Sequence, residues 1–219
     1  MSQQEQPIEL ISVWESQLFV INNPLHQQLK QPLLDFIYDY QSKQQEAVAS
    51  QVAPTAKRQL FESELTLMDE LDPAIQQTRS LLEELVSEIA TEINQPYWPE
   101  GAEGNALITE SWFHITQKGG YHDAHSHPNC SWCGIYYLDV GDCDFDLRSG
   151  VNRFYDPRNC ADHYLDAGSQ YLNSTGIWDV APSEGQIVIF PSYLKHSALP
   201  YFGEKDRVIL AFNCTVDLI

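Results

Sequence analysis

The sequence predicts an α+β fold in which N-terminal helices pack on one sheet of an antiparallel sandwich or small barrel. Two observations predict it. Helical periodicity is confined to residues before about Asn94, whereas period-two or short apolar runs separated by Gly, Pro, Asn and Asp fill the chain after Trp98. Because the helices come first and do not alternate with the strands, a doubly wound parallel sheet is disfavoured. The 219 residues suit one domain, 1–219, with a mainly helical support region over 1–99 and a strand-rich core over 100–219.

Each element has its local reason. Asn23-Pro24 offers an N-cap and first-turn proline, after which Leu25, Leu29, Leu33, Phe36 and Tyr40 recur at helical spacing; Pro32 is expected to kink or split this helix. A polar, weakly patterned stretch from Gln41 to Gln59 follows. Asp72-Pro73 starts a second helix, whose Leu71, Ile75, Thr78, Leu82, Leu85, Ile89 and Ile93 mark one buried face and whose Glu-rich opposite face reads as solvated. Strands are expected over Ala106–Thr116, Ser131–Val140, Ile177–Val180, Gln186–Phe190 and Arg207–Val216. In the last of these, Val208, Leu210, Phe212, Cys214 and Val216 share a face assigned to the helices, leaving Arg207, Ile209, Ala211 and Asn213 to line the interior.

Composition narrows the partners. Twelve Lys plus Arg against 31 Asp plus Glu give a formal charge of −19, which argues against nucleic acid and anionic membrane as partners. No apolar run is long enough to span a bilayer, and Met1-Ser2-Gln3-Gln4-Glu5 opens no secretory signal, so a cytoplasmic location is expected. Cys130, Cys133, Cys143, Cys160 and Cys214 form no even framework and read as free thiols. Cys130-Ser131-Trp132-Cys133 is formally a C-x-x-C; it lacks the second pair that zinc needs and the following helix of a thioredoxin-type site, and reads as structural.

The densest chemistry lies in Gly119-Gly120-Tyr121-His122-Asp123-Ala124-His125-Ser126-His127-Pro128. On an extended segment His125 and His127 share a face, so their imidazoles converge, while His122 points the other way. His196, just past the strand ending at Phe190, is the candidate third ligand. Three imidazoles suit Zn, Cu, Ni or Fe alike, and each histidine taken singly reads as solvated or satisfied by backbone rather than as a ligand. Arg207 projects a guanidinium toward an otherwise apolar interior, which calls for an anion: either an internal Asp or Glu, or a carboxylate ligand.

Together these residues resemble the 2-oxoglutarate- and Fe(II)-dependent oxygenase superfamily, and most of all a small branch carrying His-x-His-Pro, Gly-x-Tyr-Tyr, Gly-x-x-x-x-Phe-Pro-Ser, His and Arg. Here the motifs are His125-Ser126-His127-Pro128, Gly134-Ile135-Tyr136-Tyr137, Gly185 to Ser192, His196 and Arg207, closing on Phe212-Asn213. The resemblance spans roughly Ser111 to Val216. It implies a double-stranded β-helix, or jelly-roll, core and an enzyme using Fe(II), 2-oxoglutarate and O2. It further implies His125 and His196 as iron ligands, and Arg207 on the distal carboxylate of 2-oxoglutarate. Ile135-Tyr136-Tyr137-Leu138 is similar to a prolyl hydroxylase strand whose second Tyr binds that carboxylate, which makes Tyr137 the partner of Arg207. Most of the superfamily has a carboxylate where this chain has His127. A three-histidine site, His125, His127 and His196, is therefore expected, with Asp123 in place of His127 as the alternative.

Two other readings stand beside the oxygenase: a cupin-like three-histidine metalloprotein that does not use 2-oxoglutarate, and a non-catalytic ligand-binding jelly roll. The substrate is expected to be a small molecule or a protein side chain. Asp139, Asp142, Asp144 and Asp146 read either as a solvated turn or as an acidic border to the barrel mouth, and Val151 to Gly176 as a candidate lid or an insertion. Homodimerisation through the N-terminal helices is also expected.

Overall fold

Asn23 and Asp72 start the two helices by the capping chemistry their side chains allow. In the computed structural model, which describes residues 15–47, 57–158, 166–168 and 176–219, Asn23 Oδ1 accepts from the Leu25 amide at 2.8 Å, and Asp72 Oδ1 accepts from the Ala74 and Ile75 amides. Helix α1 (His26–Ala47) runs unbroken through Pro32, which sits on its exposed side, so the expected split does not occur. Helix α2 (Pro73–Asn94) buries Ala74, Ile75, Thr78, Leu82, Val86, Ile89 and Ala90. Leu71, ahead of the cap, is exposed rather than part of that face. Burying each large aliphatic here contributes about 1.5–3 kcal/mol.

The polar face of α2 is not simply solvated. Thr91 Oγ1, Ser87 Oγ and Glu83 Oε1 accept from the amides of Gly104, Ala106 and Ile108 at 2.9, 2.9 and 3.0 Å. Four helical residues rise about 6 Å and two strand residues about 6.8 Å, so the two periods nearly match and the helix satisfies a strand edge.

Among the described residues, nine strands form one folded sheet: β1 (Phe19–Asn22), β2 (Lys57–Glu62), β3 (Gly104–His125), β4 (Trp132–Asp139), β5 (Asn152–Tyr155), β6 (Ile177–Val180), β7 (Gln186–Pro191), β8 (His196–Ala198) and β9 (Arg207–Leu218). Their order is β1-β7-β4-β9-β3-β8-β5-β6, with β2 beside β3, and all these strand pairs are antiparallel. Strand β3 makes the fold. It pairs with β9 as far as Thr116 and Arg207, bulges around Gly119 and Gly120, then pairs with β8 from His122 to His125. Gly119 has φ +82°, and a Cβ on Gly120 would lie 2.5 Å from the Gln59 carbonyl oxygen, so the bend needs both glycines. The strand thereby leaves the layer β1-β7-β4-β9-β3 and enters β3-β8-β5-β6, giving a double-stranded β-helix with helices on one face.

The two faces divide as their side chains demand. Tyr136, Leu138, Ile187, Ile189, Val208, Leu210, Phe212 and Cys214 meet the helices, and Ile135, Tyr137, Val188, Phe190, Ile209 and Ala211 face Phe154, Val180 and Leu194 between the layers. Strands β1, β2, β5 and β8 carry no clear pattern in the sequence. Met1 to Glu5, Cys160 and much of the Val151 to Gly176 segment lie outside the described residues. No described helix is long and apolar enough to cross a membrane.

Candidate metal centre and anion pocket

A cleft lies between the layers, with Trp112, His122, His125, His127, His196 and Arg207 among its lining. One ligand nitrogen from each of His125, His127 and His196 lies within 4.8 Å of the other two. The register explains the meeting. His125 ends β3 directly opposite His196, which begins β8, and their ring centroids are 4.4 Å apart. His127 follows two residues later, its amide donating to the Ser192 carbonyl at 3.1 Å, and its ring stacks on that of His196 at 5.3 Å.

Two of the three rings have their orientation set by backbone. His125 Nδ1 donates to the Asp123 carbonyl at 2.8 Å and His196 Nδ1 to the Leu194 carbonyl at 3.1 Å, which leaves each Nε2 lone pair open toward the cluster. Burial lowers the pKa of His196 to about 3 and that of His125 to about 4, with the neighbouring imidazoles pushing the same way. His127 is lowered too, again chiefly by burial, while Glu110 opposes the shift. Neutral imidazoles with lone pairs facing one point are the donors a divalent transition ion needs.

Asp123 has an exposed side chain, and its carboxylate is not part of the cluster; it contributes its carbonyl instead. His122 departs from the expected opposite face. Between His122 and His125 β3 spends three residues against two on β8, and this extra residue turns His122 back into the cleft, 4.0 Å from the His125 ring.

Arg207 occupies the other end of the cleft, 1% exposed. Its Nη2 donates to Asn152 Oδ1 at 2.6 Å, its Nε has no partner, and among the described residues no carboxylate pairs with it. Among the described residues, no internal Asp or Glu, the one explanation expected without a ligand, pairs with it. Tyr137 lies with its ring 5.5 Å from the guanidinium carbon and donates its hydroxyl to the same Asn152 oxygen at 2.9 Å. Burial raises the Tyr137 pKa against the pull of Arg207, so the hydroxyl keeps its proton. Asn152 has no signal in the sequence beyond its place at the start of the short strand β5. A buried guanidinium costs several kcal/mol unless an anion meets it, and among the described residues none does.

The acidic residues after β4 belong to the Arg207 end, since Asp139 pairs in register with Val208. Asp139 accepts from the Gly141 amide and lies 3.1 Å from Lys30 Nζ, and Asp142 accepts from the Glu204 and Lys205 amides. These are turn-building contacts.

Residues 110–213, a little under half of the chain, match the model of a family described as "Putative 2OG-Fe(II) oxygenase". Among solved structures, a prolyl-4-hydroxylase from Pseudomonas putida aligns with 19% identity over 90% of this chain and 91% of its own, with a TM-score of 0.56. A Trichoplax adhaerens prolyl hydroxylase in complex with a hypoxia inducible factor peptide fragment aligns with 16% identity, 90% and 83% coverage and a TM-score of 0.54. HygX from Streptomyces hygroscopicus, with nickel, 2-oxoglutarate and hygromycin B bound, aligns with 12% identity, 91% and 83% coverage and a TM-score of 0.52. No curated protein sequence matches the chain. The family match over residues 110–213 and the double-stranded β-helix agree that the core of this chain is similar to that of the 2-oxoglutarate- and Fe(II)-dependent oxygenases.

Proposed function

We propose that the chain is a dioxygenase in which His125, His127 and His196 hold Fe(II), and Arg207 with Tyr137 holds the far carboxylate of 2-oxoglutarate. The observation that carries this reading is the buried Arg207, with an unpartnered Nε and no carboxylate among the described residues, in the same cleft as three converging neutral imidazoles. A cupin-like metalloprotein that ignores 2-oxoglutarate gives that guanidinium nothing to do. When bound, iron and cosubstrate together supply the oxidising chemistry, hydroxylating or otherwise oxidising a C–H bond as 2-oxoglutarate becomes succinate and carbon dioxide. The chain's own residues orient and shield. Leu194 and Asp123 carbonyls aim two imidazoles, Asn152 aims the Arg207 fork, and Phe154, Phe190 and Ile209 keep the space between dry.

The substrate class is a small molecule or a protein side chain, reached from the triad end of the cleft. Two of the neighbours named above are complexes, one with a peptide fragment and one with hygromycin B, which supports that breadth. The four described cysteines are unbridged, in keeping with a reducing compartment such as the cytoplasm. The test is anaerobic titration of the Fe(II)-loaded protein with 2-oxoglutarate, read by the visible charge-transfer band of the chelate. Wild type develops the band, and Arg207→Met loses cosubstrate affinity by about 100-fold while still binding metal. A band of unchanged affinity in Arg207→Met would overturn the assignment.

A further inference from the structure

The C-x-x-C at the start of β4 is not absorbed by the proposed chemistry, and its geometry is specific. Cys130 Sγ and Cys133 Sγ lie 3.5 Å apart, both as thiols. Cys130 is half-buried, while Cys133 is buried and lines the cleft. Each thiol touches the holder of the third imidazole. Cys130 Sγ donates to the His127 carbonyl at 3.7 Å, and Cys133 Sγ donates to Asn213 Oδ1 at 3.3 Å. Asn213 Nδ2 in turn donates to Glu110 Oε2 at 2.6 Å and lies 3.5 Å from His127 Nδ1.

We propose that Cys130 and Cys133 are a redox-active dithiol that peroxide converts to a disulfide, and that this disulfide loosens the grip of His127 on the metal. The coupling to metal rests on the reading of His127 as a ligand; the dithiol chemistry does not. A disulfide needs its sulfurs about 2.05 Å apart, so the pair must close by about 1.5 Å. The backbone around Cys130 is held: Ser192 Oγ donates to the Cys130 carbonyl at 2.6 Å and the Ser192 amide to the Ser131 carbonyl at 3.0 Å. Side-chain rotation therefore does most of the closing. In the first step a peroxide O–O bond breaks on Cys130 sulfur, giving a sulfenic acid and water. In the second, Cys133 sulfur displaces the hydroxyl, which leaves as water with the Cys133 proton. Two thiols and one hydrogen peroxide become one disulfide and two waters, and an external dithiol reverses the change. Both S–H donors are lost, so the His127 carbonyl and Asn213 Oδ1 lose the partners that steady the loop and the amide beside the His127 ring.

The experiment exposes the full-length, metal-free protein to hydrogen peroxide, blocks remaining thiols with iodoacetamide, and maps peptides by mass spectrometry. A Cys130–Cys133 linkage that dithiothreitol removes is expected; two alkylated cysteines, or a sulfinic acid at Cys130, would overturn the proposal. Cobalt(II) is then titrated onto the reduced and oxidised forms. Roughly tenfold or greater weakening in the oxidised form is expected, the scale seen when groups behind a metal ligand are disturbed, and equal affinities would overturn the coupling. The double variant Cys130→Ser/Cys133→Ser keeps both donors as hydroxyls, so it should match the reduced form and ignore peroxide. Loss of cobalt in that variant would make the thiols themselves the metal site and reject the proposal. His127→Ala separates the two readings: if it binds cobalt as wild type does, the ligand assignment fails while a mapped disulfide still stands.

Discussion

Arg207 and Tyr137 meet at a single atom, Asn152 Oδ1, which accepts from the guanidinium at 2.6 Å and from the phenol at 2.9 Å. One amide thus orients both donors without neutralising the guanidinium. Asn152→Ala leaves the charge but frees the fork, and a hydrogen bond to a charged group is worth about 1.5–3 kcal/mol. 2-Oxoglutarate affinity should fall roughly tenfold or more by calorimetry. Asn152→Asp should do worse for binding and better for stability, because an internal carboxylate takes the place meant for the ligand. Unchanged affinity in both variants would show that Asn152 only fills space.

Of the two candidates for a third ligand, His127 and Asp123, the cluster contains only the first. Saturating cobalt(II) at about 100 times its dissociation constant stabilises the folded state by about 2.7 kcal/mol, or roughly 5–10 °C in Tm for a chain of this size. His125→Ala, His127→Ala and His196→Ala should each lose that rise. Asp123→Ala should keep it, because the backbone carbonyl that orients His125 remains. A full rise in His127→Ala together with its loss in Asp123→Ala would reverse the assignment.

Arg153 and Asp179 are cross-strand neighbours joining β5 to the edge strand β6 through two bonds of 2.7 and 2.8 Å. The guanidinium holds the Asp179 carboxyl below the ordinary carboxylate range. A depressed folded pKa contributes stability that is complete above the unfolded value, about 3.9, and is lost as pH falls through the folded one. The pair is partly screened, so Asp179→Asn should cost about 1 kcal/mol near pH 7. The gap between wild type and variant, read from urea midpoints, should close as pH drops below about 4. A gap that widens on acidification would contradict this sign.

Legibility followed range. The cap of α2, the two faces of β9 and the pairing of His125 with His127 are written in residues a few positions apart, and the structure displays those patterns directly. His196 and Arg207 stand out in the sequence because each sits beside an apolar strand. The orientation of His122 departs from the extended-strand expectation because a bulge on β3 changes parity, and nothing within His122 to His125 announces it. Strand β8, three residues long, and strand β5, four, are too short to carry a period. Asn152 therefore stayed hidden: its role depends on β5 pairing with β8, a tertiary event. Likewise the contacts of Glu83, Ser87 and Thr91 with β3 appear on a helix wheel only as a polar face.

Gly134, the first residue of the Gly-x-Tyr-Tyr run, owes its identity to Phe212. The two are opposite each other on β4 and β9, and a Cβ at position 134 would stand 2.2 Å from the Phe212 ring. That ring is fully buried, in the core cluster that meets the helices. Gly134→Ala should therefore destabilise by about 1–3 kcal/mol through overpacking. Phe212→Leu alone should also destabilise, by leaving a gap. Combined, the two changes share one volume and should cost less than their sum by about 0.5–3 kcal/mol. Urea denaturation of the four proteins closes the cycle. Strict additivity would mean that the glycine serves backbone freedom, and that the ring above it is incidental.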